Sequence, residues 1–372
     1  MIGFFLYLPT VIHVPHGLFV LAFLVAFIQN PKLAIDVFQQ FKSRKISPVV
    51  WGLLVLYTLI LFNGFLALFD LSFRLFSEPQ LPYLVFLPLT LYIAKSIRLK
   101  DLKVLLYLIC IESFVAWVEY GFGVTTFFGT GTGELVHQGS DLLYFKRPYG
   151  LSPNSSGLAL KAFLGILLIQ VVSFGKWSKY VSAFFFSVVI ISFARTVLIA
   201  TIVFIILILT MAIAKRKTPL IYYQIGAIVF GCGLLLLLIN FEPMSDVFVK
   251  QFTRNTGQIE LTGRDKIWAN FLEVFYESPI FGTYSNKLMF GPYHAHNSFL
   301  QLLSSNGLLI AVGMFAFIVA NLKAHNWIFI VTILIYSIAQ YGVFWGISIL
   351  DCFFYFFLLQ FRPYEGYLQQ KK

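Results

Sequence analysis

From Thr196 to Ala214 the chain reads TVLIATIVFIILILTMAIA, without a charge or a helix breaker. A helix needs roughly 20 such residues to cross the hydrocarbon core of a bilayer. No water is present there to satisfy a backbone N–H or C=O, so a run of this kind is expected to be helical. Comparable runs occupy 3–28, 49–69, 81–97, 102–122, 156–174, 178–193, 219–240 and 298–320, and the stretch 326–360 folds back once near Gly342. The expected fold is an all-α polytopic integral membrane protein, 1–372 forming a single transmembrane domain with about eleven spans (roughly 10 to 12). Composition agrees: 59% of the 372 residues are hydrophobic, 12% are charged and 43 are Phe, which lies outside the range of soluble domains. The first basic residue is Lys32, so the opening MIGFFLYLP lacks the charged start of a secretory signal and 3–28 reads as a retained span. Cys110, Cys232 and Cys352 are widely spaced in apolar runs. They read as small core residues rather than a disulfide framework or a metal site.

Basic residues give the orientation. Alternate connections carry Lys32, Lys42, Arg44 and Lys45, then Lys95, Arg98, Lys100 and Lys103, then Lys176 and Lys179, Lys215 to Lys217, Lys323, and finally Arg362, Lys371 and Lys372. By the positive-inside rule these connections face the cytoplasm. The net charge of +11 is then an effect of topology and does not argue for nucleic acid. An odd number of spans puts the N-terminus outside and the C-terminus inside. Two long segments, 123–155 and 241–297, fall on the extracytoplasmic side, and function is expected there, the second being the large catalytic loop.

Cations left on that side need a reason. Arg147, Lys161, Arg195, Arg254, Arg264 and Lys266 lie on it or just below it. A charge near the bilayer centre costs roughly 2.5 to 3.5 kcal/mol on insertion scales, and an anion site is one way to offset this. TGRDKIWANFLEVFYESP places Thr262 and Asp265 in capping-box spacing, sets apolar positions 267, 268, 271, 272 and 275 in helical period, and stops at Pro279. It predicts an amphipathic helix on the membrane surface. Arg264 then falls in a first turn, where unpaired N–H groups already favour negative charge. Arginine binds phosphate bidentately and keeps its charge when partly desolvated, so a diphosphate fits.

The polar stretch HAHNSFLQLLSSNG, 294–307, opens an apolar helix. A histidine there titrates near neutrality and can take a proton from a hydroxyl. His294 or His296 beside several arginines is the candidate base, while His13, His16, His137 and His325 read as structural. Other chemistries find no support: there is no Asp-x-Asp pair for a divalent metal, no Gly-x-Ser-x-Gly elbow, no phosphate-binding loop and no Cys/His cluster,. The glycines of FFGTGTGEL, 127–135, follow no strand and open no helix, so they read as loop.

Four segments together resemble the bacterial O-antigen polymerase and O-antigen ligase family of Wzy and WaaL type. They are RPYGLSPNSSGLA (147–159), SFARTVL (192–198), TGRDKIW with SPIFGTY (262–284), and HAHNSFLQLLSSNG (294–307). His296, Asn297 and Gly307 fit the family's His-Asn-then-Gly pattern, while Ile310 stands where a small or aromatic residue is expected. The resemblance implies a fold similar to the GT-C glycosyltransferases. It also implies metal-independent, inverting glycosyl transfer from undecaprenyl diphosphate, with no cofactor, at the outer face of the bacterial cytoplasmic (inner) membrane. Its essential histidine maps to His296 and its two essential arginines to Arg195 and Arg264. Around them, His294 and Asn297 would orient the base or the acceptor, and Arg147, Lys161 and Asn154 would serve substrate binding. Partners implied are a lipid-linked oligosaccharide donor and acceptor, the bilayer, a flippase and a chain-length regulator. Trp268, Tyr284 and Tyr293 are read as membrane anchors or sugar platforms.

The acceptor separates two enzymes: a second lipid-linked repeat unit for a polymerase, lipid A core for a ligase. Ile310 and the absence of a visible extra domain favour polymerase. A third reading, a proton-coupled transporter or flippase, is motivated by Glu112, Glu119 and Asp351, acids set in apolar runs without visible partners.

Overall fold

The structure is a computed structural model and describes residues 1–12, 15–42, 48–69, 83–128, 147–172, 174–215, 264–283, 288, 290, 294–340 and 342–361. The expected span 219–240, most of the segments 123–155 and 241–297, Arg254, Tyr284, Tyr293 and Cys232 lie outside the described residues.

Apolar runs without competing polar groups become helices, and the polar residues between them act as caps. In chain order the helices are α1 (Ile2–Tyr7), α2 (Pro15–Gln29), α3 (Pro31–Lys42), α4 (Pro48–Phe69), α5 (Leu87–Ser96), α6 (Leu99–Phe122), α7 (Ser155–Ile169), α8 (Ser178–Ile191), α9 (Arg195–Lys215), α10 (Arg264–Glu277), α11 (Ser298–Asn321), α12 (Trp327–Ile338) and α13 (Ile349–Leu359). All these elements are helical, as composition led us to expect. At α6 the Asp101 carboxylate accepts the Arg98 N–H at 3.1 Å, and the helix stops at Gly123 in the left-handed region,. Asn154 caps α7, Asn297 caps α11 and Ser348 caps α13 through their side-chain oxygens,.

Polar contacts define two ends of the bundle. At one, Gln360 donates to the Ile97 carbonyl at 3.1 Å, Asn326 to the Leu358 carbonyl at 3.0 Å, and the Arg98 guanidinium to the Gln29 carbonyl. At the other, Glu119 near the finish of α6 accepts the N–H groups of Tyr149 and Gly150, α8 finishes, α9 starts, and the connection after α12 meets Ser298. These are called the Ile97 end and the His296 end. Helices α7 and α8 pack as an antiparallel pair, α9 runs along α12, and α13 packs on α5.

The first 29 residues depart from expectation. Ile2 donates its N–H to Asp101 at 3.0 Å, and Tyr7 donates its hydroxyl to Glu112 at 2.8 Å, so α1 climbs α6 only to about its middle. A 3-10 turn at Leu8–Thr10 follows, and α2 returns to the Ile97 end, where Arg98 takes the Gln29 carbonyl and Tyr92 the Asn30 carbonyl. Residues 3–28 are therefore a helical hairpin with both ends together, and not a single crossing. Pro9 falls in the 3-10 turn and Pro15 opens α2 at its first position,, while Glu112 supplies a partner for Tyr7. Ile2 thus lies at the Ile97 end, beside Asp101, and not at the His296 end where an odd number of spans would set it.

The three acids that the sequence sets in apolar runs, Glu112, Glu119 and Asp351, are buried and all have partners. Glu112 pairs with Lys161 at 2.7 Å and accepts the hydroxyls of Tyr7 and Ser152, each at 2.8 Å. Glu119 also accepts the Phe127 N–H. Asp351 accepts the N–H groups of Phe344 and Gly346 and the Ser348 hydroxyl. Burial of these charges is thus matched by hydrogen bonds and an ion pair, and the observation that motivated a transporter is accounted for.

Among the described residues, α11 is the helix long and apolar enough to cross a membrane by length and composition, and seven other apolar helices or helix portions are shorter. The figure of about eleven spans therefore stands as an expectation from the sequence. Even α11 is divided: Gly307 has φ 75° and ψ 176°, outside the helical region.

Candidate active site

The division of α11 builds the site. Past Gly307, the Leu308 N–H donates to the Pro279 carbonyl at 2.8 Å and the Leu309 N–H to the Ile280 carbonyl at 3.2 Å. On the other side of the break, the Ser304 carbonyl accepts the Thr283 N–H at 2.9 Å and its hydroxyl at 3.2 Å. The turn that follows α10 is thus threaded into α11, exchanging helix bonds for bonds between segments. Two glycines make this possible. Gly282 and Gly307 both have positive φ, and a Cβ on Gly307 would sit 2.2 Å from the Ile280 carbonyl oxygen,. From α4, Asn63 donates to the carbonyls of Phe281 and Asn306.

Threading lays α10 along α11. Ile267, Phe271 and Val274 face inward, with Leu288, Ala295 and Leu300, and the Ser304 hydroxyl donates to the Phe271 carbonyl. Leu272 and Tyr276 are exposed. The helix expected from TGRDKIWANFLEVFYESP is present; of its expected apolar positions 267, 268, 271, 272 and 275, Ile267 and Phe271 pack inward with Val274, while Leu272 is exposed. An apolar pattern on two faces does not say which one meets protein.

One face of α10 then holds the two candidate catalytic regions. Arg264, in its first turn, donates to the Ala339 carbonyl at 2.9 Å. One turn on, the Trp268 indole N–H donates to the Ala295 carbonyl at 2.7 Å. Ala295 lies between His294 and His296, whose rings are edge to face with centroids 3.9 Å apart. His296 itself has φ 47°, a left-handed conformation uncommon for a residue with a side chain. Asn297 accepts the N–H groups of Phe299 and Leu300. Ser298 closes the ring of contacts: its hydroxyl donates to the Gln340 carbonyl at 3.2 Å and accepts the N–H groups of Gly342 and Val343. Ala339, Gln340, Gly342 and Val343 in the connection after α12 therefore touch either Arg264 or the start of α11.

Arg195 comes in from α9. Helices α9 and α12 run antiparallel, with Phe204 against Phe329 at 5.5 Å between ring centroids. Arg195 stands as far before Phe204 as Ile338 stands after Phe329, and helix rise is the same in both, so Arg195 is level with the carbonyl that Arg264 holds. The structure brings Arg195, Arg264, His294 and His296 to one end of the bundle. Three helix starts, those of α9, α10 and α11, lie at that end, each carrying positive partial charge,.

The remaining predicted residues are distributed differently. Arg147 is buried two residues before the turn that Glu119 holds. Asn154 and Asn297 have their oxygens committed to capping. Lys161 is ion-paired to Glu112 one helix interior away, with its Nζ 4.9 Å from the centre of the Tyr7 ring, so its charge is largely offset. The sequence reading missed Asn63, Ser298 and the 339–343 connection. Of these, Ser298 directly follows the His-Asn pair and was in view, whereas the other two are remote in sequence and carried no local signal. Among the described residues no group of three or more His, Cys, Asp or Glu could hold a metal ion.

Residues 180–315 match the family model described as Wzy_C, O-antigen ligase. The match takes in Arg195, Arg264, His296 and the Gly307 break, and over this segment the resemblance to the O-antigen ligase and polymerase family holds. It supports, at that coarse level, an enzyme of polysaccharide biosynthesis associated with a membrane. No curated protein and no solved structure matches the chain.

Proposed function

We propose that the chain is a repeat-unit polymerase of O-antigen or capsule type, which moves a glycan from undecaprenyl diphosphate to the end of another lipid-linked repeat unit. It crosses the bacterial cytoplasmic membrane several times, and its His296 end faces outward. What supports the reading is that the starts of α9, α10 and α11, which carry Arg195, Arg264 and the His294–His296 pair, lie toward one end of the bundle, within the segment that matches the family.

In the reaction, His296 takes the proton of an acceptor hydroxyl as its oxygen attacks the anomeric carbon of the donor sugar. The bond from that carbon to the diphosphate oxygen breaks, and the leaving diphosphate keeps the electron pair, with inversion at carbon. Arg195 and Arg264 stabilise the growing charge, a role that Mg²⁺ fills in other phosphoryl chemistry, and the starts of α9 and α10 add to the same field. His294 orients the base. Arg147 adds positive potential along the path of the lipid diphosphate.

A ligase that passes the same donor to lipid A core is the second reading, favoured by the description of the matched family. Against it, Ile310 is buried three residues past the break. Purified chain incubated with a labelled oligosaccharide on undecaprenyl diphosphate tests the proposal. Growth of a lipid-linked ladder is expected, and its absence with transfer to added lipid A core would select the ligase. Replacing His296 by Ala should abolish either product while the protein stays folded in the membrane, and undiminished product from that variant would overturn the assignment of the base.

A further inference from the structure

We infer that Trp268 is a positioning residue: its indole N–H, by holding the Ala295 carbonyl, fixes the left-handed backbone of His296 and hence the direction of that imidazole. The inference rests on the role of His296 proposed above, but the contact itself is a matter of geometry.

The Ala295 carbonyl and the His296 N–H belong to one rigid peptide plane. Turning that plane changes φ at His296 directly. At φ 47° the residue sits where a Cβ crowds the following carbonyl, and surrounding contacts must hold it there. Specific contacts hold this plane and its neighbours. Trp268 donates to the Ala295 oxygen at 2.7 Å, the Ala295 N–H faces the Gln301 side-chain oxygen at 3.4 Å, and Ala295 is fully buried. Beyond His296, the Asn297 cap begins α11. Of these, the indole is the strong bond, and it reaches across from another helix.

Trp268 also stands one turn after Arg264, so the two side chains leave α10 on adjacent parts of one face. Arg264 holds the Ala339 carbonyl and Trp268 the Ala295 carbonyl. One helix thus carries the arginine and also holds the main chain next to the imidazole. An indole in this neighbourhood invites a reading as a sugar platform, but its N–H is committed to the main chain.

The test uses the full chain in lipid nanodiscs with two replacements: Trp268→Phe, and Trp268 exchanged for 3-benzothienylalanine, which keeps the ring shape and lacks the N–H. Transfer from an oligosaccharide on undecaprenyl diphosphate gives kcat and KM. Carbethoxylation of His296 by diethyl pyrocarbonate, followed by mass spectrometry, reports the imidazole without any turnover. We expect kcat to fall by about tenfold to a hundredfold, as displacement of a reacting group by about 1 Å does, with KM changed by less than about twofold and His296 modified at a rate several-fold different. Wild-type kcat and an unchanged modification rate would overturn the inference, and so would a raised KM at unchanged kcat, which would mark the ring as a sugar contact. A changed modification rate in a chain whose wild type shows no transfer would leave the positioning intact and refute the polymerase. If Trp268→Phe fails to fold, the benzothienylalanine chain decides.

Discussion

At the scale of single residues, a buried ion pair and a pair of partly exposed arginines stand in different settings. Lys161 and Glu112 face each other at 2.7 Å in the interior, whereas Arg195 and Arg264 stand at helix starts where the bundle ends. Removing one member of a buried pair leaves the other charge uncompensated, at a cost of about 3 to 5 kcal/mol. Glu112→Gln and Lys161→Met should each lower the unfolding temperature of the detergent-purified protein. Combining them should cost less than the sum of the two, measured as a double-mutant cycle. Arg264→Lys should lower transfer despite keeping the charge, because an ammonium cannot hold a carbonyl and a phosphate with one planar fork. Arg264 was legible in the sequence because a first-turn arginine after a capping pattern has a local signature. The Glu112 pairing was not, since its partner lies in another helix and nothing in an apolar run says which neighbour it will meet.

At the scale of elements, α10 shows what patterning can and cannot tell. Its start, its length and its stop before Pro279 follow from caps and period. The face that packs does not, because apolar side chains surround much of the helix. The break in α11 was hidden for a related reason: Gly307 stands where the polar stretch SFLQLLSSNG passes into the apolar run LLIAVGMFAFIVA, and a single glycine is tolerated within helices. Its conformation is imposed by the turn 278–283, which supplies the carbonyls for Leu308 and Leu309. Gly307→Ala and Gly282→Ala should therefore destabilise by more than about 2 kcal/mol, through strain at positive φ and collision with main chain. Their unfolding temperatures should drop, and proteolysis in the α10 segment should accelerate more than elsewhere.

At the scale of the whole molecule, the hairpin of α1 and α2 sets the arrangement of ends. Asn30, Ile97, Lys323 and Gln360 share one end, while Lys266 and His296 share the other. In a chain with its native cysteines replaced, Asn30→Cys and Lys323→Cys should resist a membrane-impermeant maleimide in intact cells, and Lys266→Cys should react. Equal labelling of all three would contradict the proposed orientation. The all-helical class was legible throughout, because apolarity alone dictates it. The hairpin was not, because both its arms are as apolar as a span and the bend is marked by no more than the short stretch PTVIHVPHG, 9–17.

The seam at Gly307 is stitched by backbone groups: Pro279 and Ile280 offer carbonyls, Leu308 and Leu309 take them, and Thr283 returns a bond to Ser304. Such a joint counts peptide units and is largely indifferent to side chains. Deleting one residue from 278–281, or adding one between Asn297 and Asn306, would offset every donor from its acceptor and rotate the imidazole away from the arginines. Length in these two short stretches is consequently a harder constraint than the identity of most of their residues.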